Sequence, residues 1–144
     1  MAEQPPSNPE ARNISEILKE TRCVAVVGLS PDPARDSHKV ADYLLRQGYQ
    51  VVPVNPKEES ILGQKCYACL SDIPHPVDLV DVFRASEHTP AIAREAASIG
   101  AKTLWLQLGV RNPEACRLAG EAGLNTVQDK CLKVEHHRLL GGRS

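Results

Sequence analysis

Along the chain, short apolar runs rich in valine, isoleucine and leucine alternate with longer segments of helical period. The runs predict strands over Cys23 to Gly28, Gln50 to Val54, Val77 to Phe83, Thr103 to Leu106 and Leu124 to Gln128. The longer segments predict helices over about Asn13 to Arg22, Ser37 to Gln47, Thr89 to Ile99, Pro113 to Ala122 and from Lys130 onward. Asn13 with Glu16 three residues later makes a capping-box-like start, and Gly48, Gly100 and Gly123 fall just past helix ends. Strands separated by helices and apolar on both faces belong in a parallel sheet covered on both sides. The expected fold is α/β, a Rossmann-like doubly wound parallel sheet of five strands in the order 3-2-1-4-5. It forms one domain over residues 13–144, after a polar, proline-rich leader at 1–12 expected to be disordered. Segment 57–73 fits the pattern poorly; it is expected to be loop with one short helix around Cys69 to Asp72, or instead a lid or a dimer contact.

Composition narrows the partners. A chain of 144 residues with a formal net charge of -1 carries no broad basic surface for nucleic acid or an anionic membrane. No run approaches the roughly twenty apolar residues that span a bilayer, and the leader has no apolar segment of the signal-peptide kind. Five cysteines without a framework spacing point to free thiols in a reducing cytoplasm. A small-molecule ligand fits best.

In an open α/β sheet, ligands bind at the carboxyl ends of the strands, where the strand order reverses. With the expected order, that point lies between the first and fourth strands. Gly28 ends the first strand there, and the following GLSPDPARDSHK brings amides and a helix N-terminus toward an anion. Ser30 and Ser37 add hydroxyls, and Arg35 a bidentate donor. His38 and Lys39 lie in the first helical turn, where lysine is unfavourable unless an anion compensates it.

Two features of a nicotinamide site are missing. The dinucleotide fingerprint has three glycines in six residues, whereas this loop has one. The second strand ends in PVNPK, with Asn55 and Lys57 where an acidic residue would clamp a ribose diol. A cation there suits a phosphorylated ribose.

Taken together and in order, VVGLSPDPARDSHKV, GYQVVPVNP, VDLVDVFR, LWLQLGV and DKCLKVEHHRL resemble the small stand-alone CoA-binding proteins of bacteria and archaea. That family is similar to the CoA-binding domain of the succinyl-CoA synthetase alpha subunit. The resemblance implies coenzyme A as ligand, with its pyrophosphate at Gly28, Leu29 and Ser30 and around Arg35 and Ser37. It implies the adenosine end beside Val54, Asn55 and Pro56, and the pantetheine arm across Phe83, Arg84 and Gln107. The synthetases carry their phosphohistidine in a further domain that has no counterpart here, so the resemblance supplies a binding site without a reaction.

The expected function is therefore a non-catalytic carrier, sensor or partner module for CoA or acyl-CoA, acting as a homo-oligomer or with a partner enzyme. Its alternatives are an acyl-CoA-dependent or thiol-redox protein using Cys131 with Glu135, His136 and His137, and an NAD(P)-binding redox sensor, which the missing glycines disfavour. Gln107 has a competing reading as a cap on the next turn. A packed thiol is the favoured reading of Cys131, and no metal site is expected from the Cys66 and Cys69 pair. Asp81, in an apolar strand, is expected to hydrogen-bond a neighbouring loop. A bulky residue at Gly28 is expected to abolish binding while leaving the fold intact.

Overall fold

The structure, a computed structural model, describes residues 9–141, with side chains from Asn13 onward. Of the span 1–12 expected to be disordered, residues 1–8 lie outside the described residues, and residues 9–12 are helical instead, as the first turn of a helix that begins at Pro9. The order is α1 (Pro9–Glu20), β1 (Cys23–Val27), α2 (Asp36–Arg46), β2 (Gln50–Val54), β3 (Ser60–Ile61), β4 (Gln64–Lys65), β5 (Leu79–Val82), α3 (Thr89–Ser98), β6 (Thr103–Leu106), α4 (Pro113–Glu121), β7 (Asn125–Val127) and α5 (Leu132–Leu140). Asn13 is thus inside the first helix rather than its cap.

β1, β2, β5, β6 and β7 form one parallel sheet. Its two faces are separately covered, as the apolar strands require. Ala25, Val27, Val52, Val80, Val82, Leu104 and Leu106 pack with Ile92, Ala93 and Ala96 of α3 and Ala115 and Ala119 of α4. Val24, Val26, Val51, Leu79, Trp105 and Val127 pack with Ile14 and Leu18 of α1, Val40 and Leu44 of α2, and Leu132 of α5. Among the described residues, no helix is long and apolar enough to cross a membrane.

The strand order corrects the expectation of 3-2-1-4-5. It is β2-β1-β5-β6-β7, which is 2-1-3-4-5 when the five strands are counted in sequence. Two features keep the third strand away from β2. The link between β2 and β5 contains a small β3-β4 hairpin and a 3-10 turn at Leu70–Asp72, with no α-helix to cross over. The outer edge of β2 is taken by Tyr67, whose N–H donates to Pro53 O at 3.0 Å and whose carbonyl accepts from Asn55 N–H at 2.9 Å. Proline 53 itself belongs on an edge, because it has no N–H for a second neighbour. The reversal point therefore lies between β1 and β5 rather than between the first and fourth strands, and Phe83 N–H bonds Val27 O across it at 2.8 Å.

Asp81 also departs from expectation. It has 0% exposure in the middle of β5, and neither carboxyl oxygen has a hydrogen-bond partner among the described residues. No loop reaches it because the helices over this face present apolar side chains.

Candidate functional site

The loop after β1 is built from successive local bonds. Ser30 Oγ accepts from Asp32 N–H, Asp32 Oδ1 from Ala34 N–H, and Asp32 O from Arg35 N–H, at 3.1, 2.9 and 3.0 Å. These side chains favour such turns because a short polar group can bond the backbone two residues on. Ser37 Oγ accepts from Ser30 N–H at 3.0 Å, and His38 Nδ1 meets Ser30 O at 3.0 Å. The loop is thereby closed onto the first turn of α2.

The bonds also show which donors remain. Ser30 N–H is taken by Ser37, and Gly28 N–H by Val54 O at 3.0 Å. The first intrahelical donors of α2 are His38 and Lys39, both to Arg35 O, so the amides of Asp36 and Ser37 precede the helix ladder. Arg35, the N-cap, makes no side-chain cap bond. A cavity of about 230 Å³ lies against this turn, lined by Gly28, Ser30, Arg35, Ser37 and Phe83, with the Asp36 carboxylate on the same wall.

A larger cleft of about 500 Å³ adjoins it through Gly28. Val54, Asn55 and Pro56 form one side, with Lys57 and Arg84 supplying cations and Glu95 a carboxylate. Asn55 is fixed at both ends: Nδ2 donates to Leu29 O at 3.0 Å, and Oδ1 accepts from Lys57 N–H at 2.8 Å. A third cavity of about 300 Å³ continues from Phe83 past Lys39 to Gln107 and Cys131. Gln107 is buried, and its Oε1 accepts from Leu132 N–H at 2.9 Å, so it caps α5.

The predicted residues thus fall into three adjoining groups along one edge. Two stand apart. The whole of Leu29 is buried in the core and its carbonyl accepts from Asn55 Nδ2, so it offers a ligand no accessible group, and the His38 ring is engaged with Ser30 O. Sequence reasoning missed Ala68, Cys69 and Leu70, and Ile92 and Glu95 from α3, which complete the larger cleft. The pairing of Tyr67 with Val54 and the bonds of Ser71 to Glu95 of α3 bring Ala68 to Leu70 there, and neither has a local signature.

The Cys66 and Cys69 thiols are not activated by their surroundings. Burial raises the Cys66 thiol, with the Glu58 charge adding, and desolvation likewise raises Cys69, with the Asp72 charge adding. Nor is the Cys131 constellation assembled. His136 Nδ1 bonds Tyr43 OH at 2.8 Å, and Glu135 pairs with Arg138. A separate cleft of about 420 Å³ between α1 and β7 holds Glu16 and Glu20 and, among the described residues, no cation, which suits an anion poorly.

Residues 22–137 match the model of the CoA binding domain. The chain belongs to this CoA-binding domain family. It is 41% identical over 129 residues to the protein YneT of Bacillus subtilis (strain 168), covering 90% of this chain and 96% of that one. The structure of a hypothetical protein from Pyrococcus horikoshii OT3 superposes with a TM-score of 0.89 at 42% identity, covering 98% of this chain and 99% of the other. The family also reaches large enzymes. Acetate–CoA ligase [ADP-forming] II subunit alpha of Pyrococcus furiosus is 34% identical over 82 residues, which are 56% of this chain and 18% of that subunit. That small share bears on the CoA-binding part of such ligases and not on their reaction.

Proposed function

We propose that the chain binds coenzyme A or an acyl-CoA along the carboxyl edge of its sheet, as a module without catalysis of its own. It would serve as a carrier, a sensor or the partner of a separate enzyme. The observation that supports this reading best is the meeting of two cavities at Gly28. One presents the Asp36 and Ser37 amides and Arg35 for the pyrophosphate; the other presents Lys57 and Arg84 for the 3'-phosphate. The absence of an acidic group at the end of β2 fits a phosphorylated ribose.

Calorimetric titration with CoA, dephospho-CoA and NAD tests it. CoA is expected to bind, dephospho-CoA to bind about tenfold more weakly, and Lys57→Ala to remove most of that difference, as one charge-assisted contact at a solvent-open site would. Equal affinity for CoA and dephospho-CoA in the natural chain would remove the assignment of Lys57, and binding of NAD alone would overturn the CoA reading.

A further inference from the structure

Among the described residues, the large hydrophobic side chains left exposed are Leu108, at 68%, and Val134, at 55%. Single exposed apolar residues are ordinary, but these two, from different elements, line the same 300 Å³ cavity, whose inner wall is Phe83 and buried Val40. Leu108 is not there through looseness. It occupies the corner of a tight turn in which Val110 N–H bonds Gln107 O at 2.8 Å and Gly109 takes a φ of +88°. The turn is pinned on both sides: Gln107 Oε1 accepts from Leu132 N–H at 2.9 Å, and Asp129 Oδ1 accepts from Gly109 N–H at 2.8 Å. The backbone needs no leucine at that corner, so packing does not explain it.

The cavity continues the edge on which CoA is placed, because Phe83 lines both it and the cavity at the α2 N-terminus. We propose that its outer rim at Leu108 and Val134, beyond the stretch past Phe83 and Gln107 that the pantetheine arm would cross, is the acyl subsite, and that the chain prefers acyl-CoA thioesters with an unbranched aliphatic tail over free CoA and over dicarboxylic acyl groups. This inference rests on the CoA reading. The side chains that would meet the acyl tail, Leu108 and Val134, are apolar and offer a second carboxylate no hydrogen bond; of the lysines in the lining, Lys39 shares it with Asp36, and the Lys133 ammonium stands over the Tyr43 ring, 5.7 Å from its centroid.

Titration of CoA, hexanoyl-CoA and succinyl-CoA into the natural chain, Leu108→Asp and Val134→Asp, with the association state measured in parallel, provides the test. Burial of about two methylenes makes hexanoyl-CoA roughly tenfold tighter than CoA in the natural chain. In either variant the ratio falls to about one. A ratio near one in the natural chain, a preference for succinyl-CoA, or a gain that survives in both variants would overturn the subsite while CoA binding itself stood. A dimer that Val134→Asp dissociates, with no acyl preference, would assign the patch to a second copy and equally overturn it. Failure of all three thioester and thiol ligands to bind would instead defeat the CoA reading on which the subsite rests.

Discussion

Replacing Gly28 by alanine destabilises the fold, and replacing it by valine leaves no cooperative unfolding transition. The sequence suggested otherwise, that binding alone would be lost. Gly28 has a φ of +86°, and a Cβ built on it would stand 2.5 Å from the Phe83 carbonyl oxygen. That oxygen belongs to the backbone where the chain leaves β5, and it cannot swing aside as a side chain would. The alanine variant therefore combines left-handed strain with overpacking, together about 2–5 kcal/mol. Against a typical stability of about 5–15 kcal/mol, this is a large share, and a β-branched residue adds to it. Urea unfolding followed by the fluorescence of Trp105, the single tryptophan and fully buried, measures the effect. A Gly28→Ala midpoint equal to that of the natural chain would show that the two strand ends can separate freely.

Close approach at this point is also why the site exists. The sheet brings the ends of β1 and β5 together through the Phe83 to Val27 bond, and Gly28 lets the chain turn away at once into the loop. The three cavities then follow the edge from Lys57, past Gly28 and Phe83, to Leu108 and Val134. A long, flexible ligand with an anionic centre fits that sequence of surfaces better than a compact one.

Strand and helix positions were legible because each has a local signature. The Gln50–Val54 and Thr103–Leu106 strands coincide with their apolar runs, and the loop after β1 declared itself through one glycine, two prolines and its hydroxyls. Strand order was not legible from alternation alone, although Pro53 held a usable signal: a proline in β2 marks it as an edge, which excludes a third strand beyond it. The start of α1 was misread because Asn13 with Glu16 imitates a cap inside a longer helix. The cleft wall at Ala68 to Leu70 was hidden for a different reason, since a pairing between distant residues places it.

Asp81→Val raises stability at neutral and alkaline pH, by about 1–4 kcal/mol, the range seen when buried ionic groups give way to apolar ones. Asp81 pairs with Val26 on one side and Trp105 on the other, in the most enclosed strand of the sheet. Burial pushes its carboxyl well above the ordinary value of 3.8, with no cation or donor to oppose the shift. The unfolded chain thus loses this proton at lower pH than the folded one. Below the ordinary value the group is neutral in both states and costs least; as pH rises through the window up to the folded-state value, stability falls, and above that it levels off. Valine removes the slope and the unpartnered oxygens together. Asparagine removes only the slope, because its amide inherits the same empty surroundings. Unfolding of all three chains at pH 4, 6 and 8 separates these effects, and the differences from the natural chain cancel the opposite contribution of Asp129, whose carboxyl is lowered chiefly by the Gly109 N–H. A valine variant less stable than the natural chain at pH 8, or one with an unchanged pH slope, would show that the carboxyl is solvated or partnered in solution. Parallel CoA titrations carry the argument to the site: Asp81 and Phe83 alternate onto the same face of β5, so an affinity lost with the carboxyl would place it beneath the ligand, and an affinity kept would confine its effect to folding.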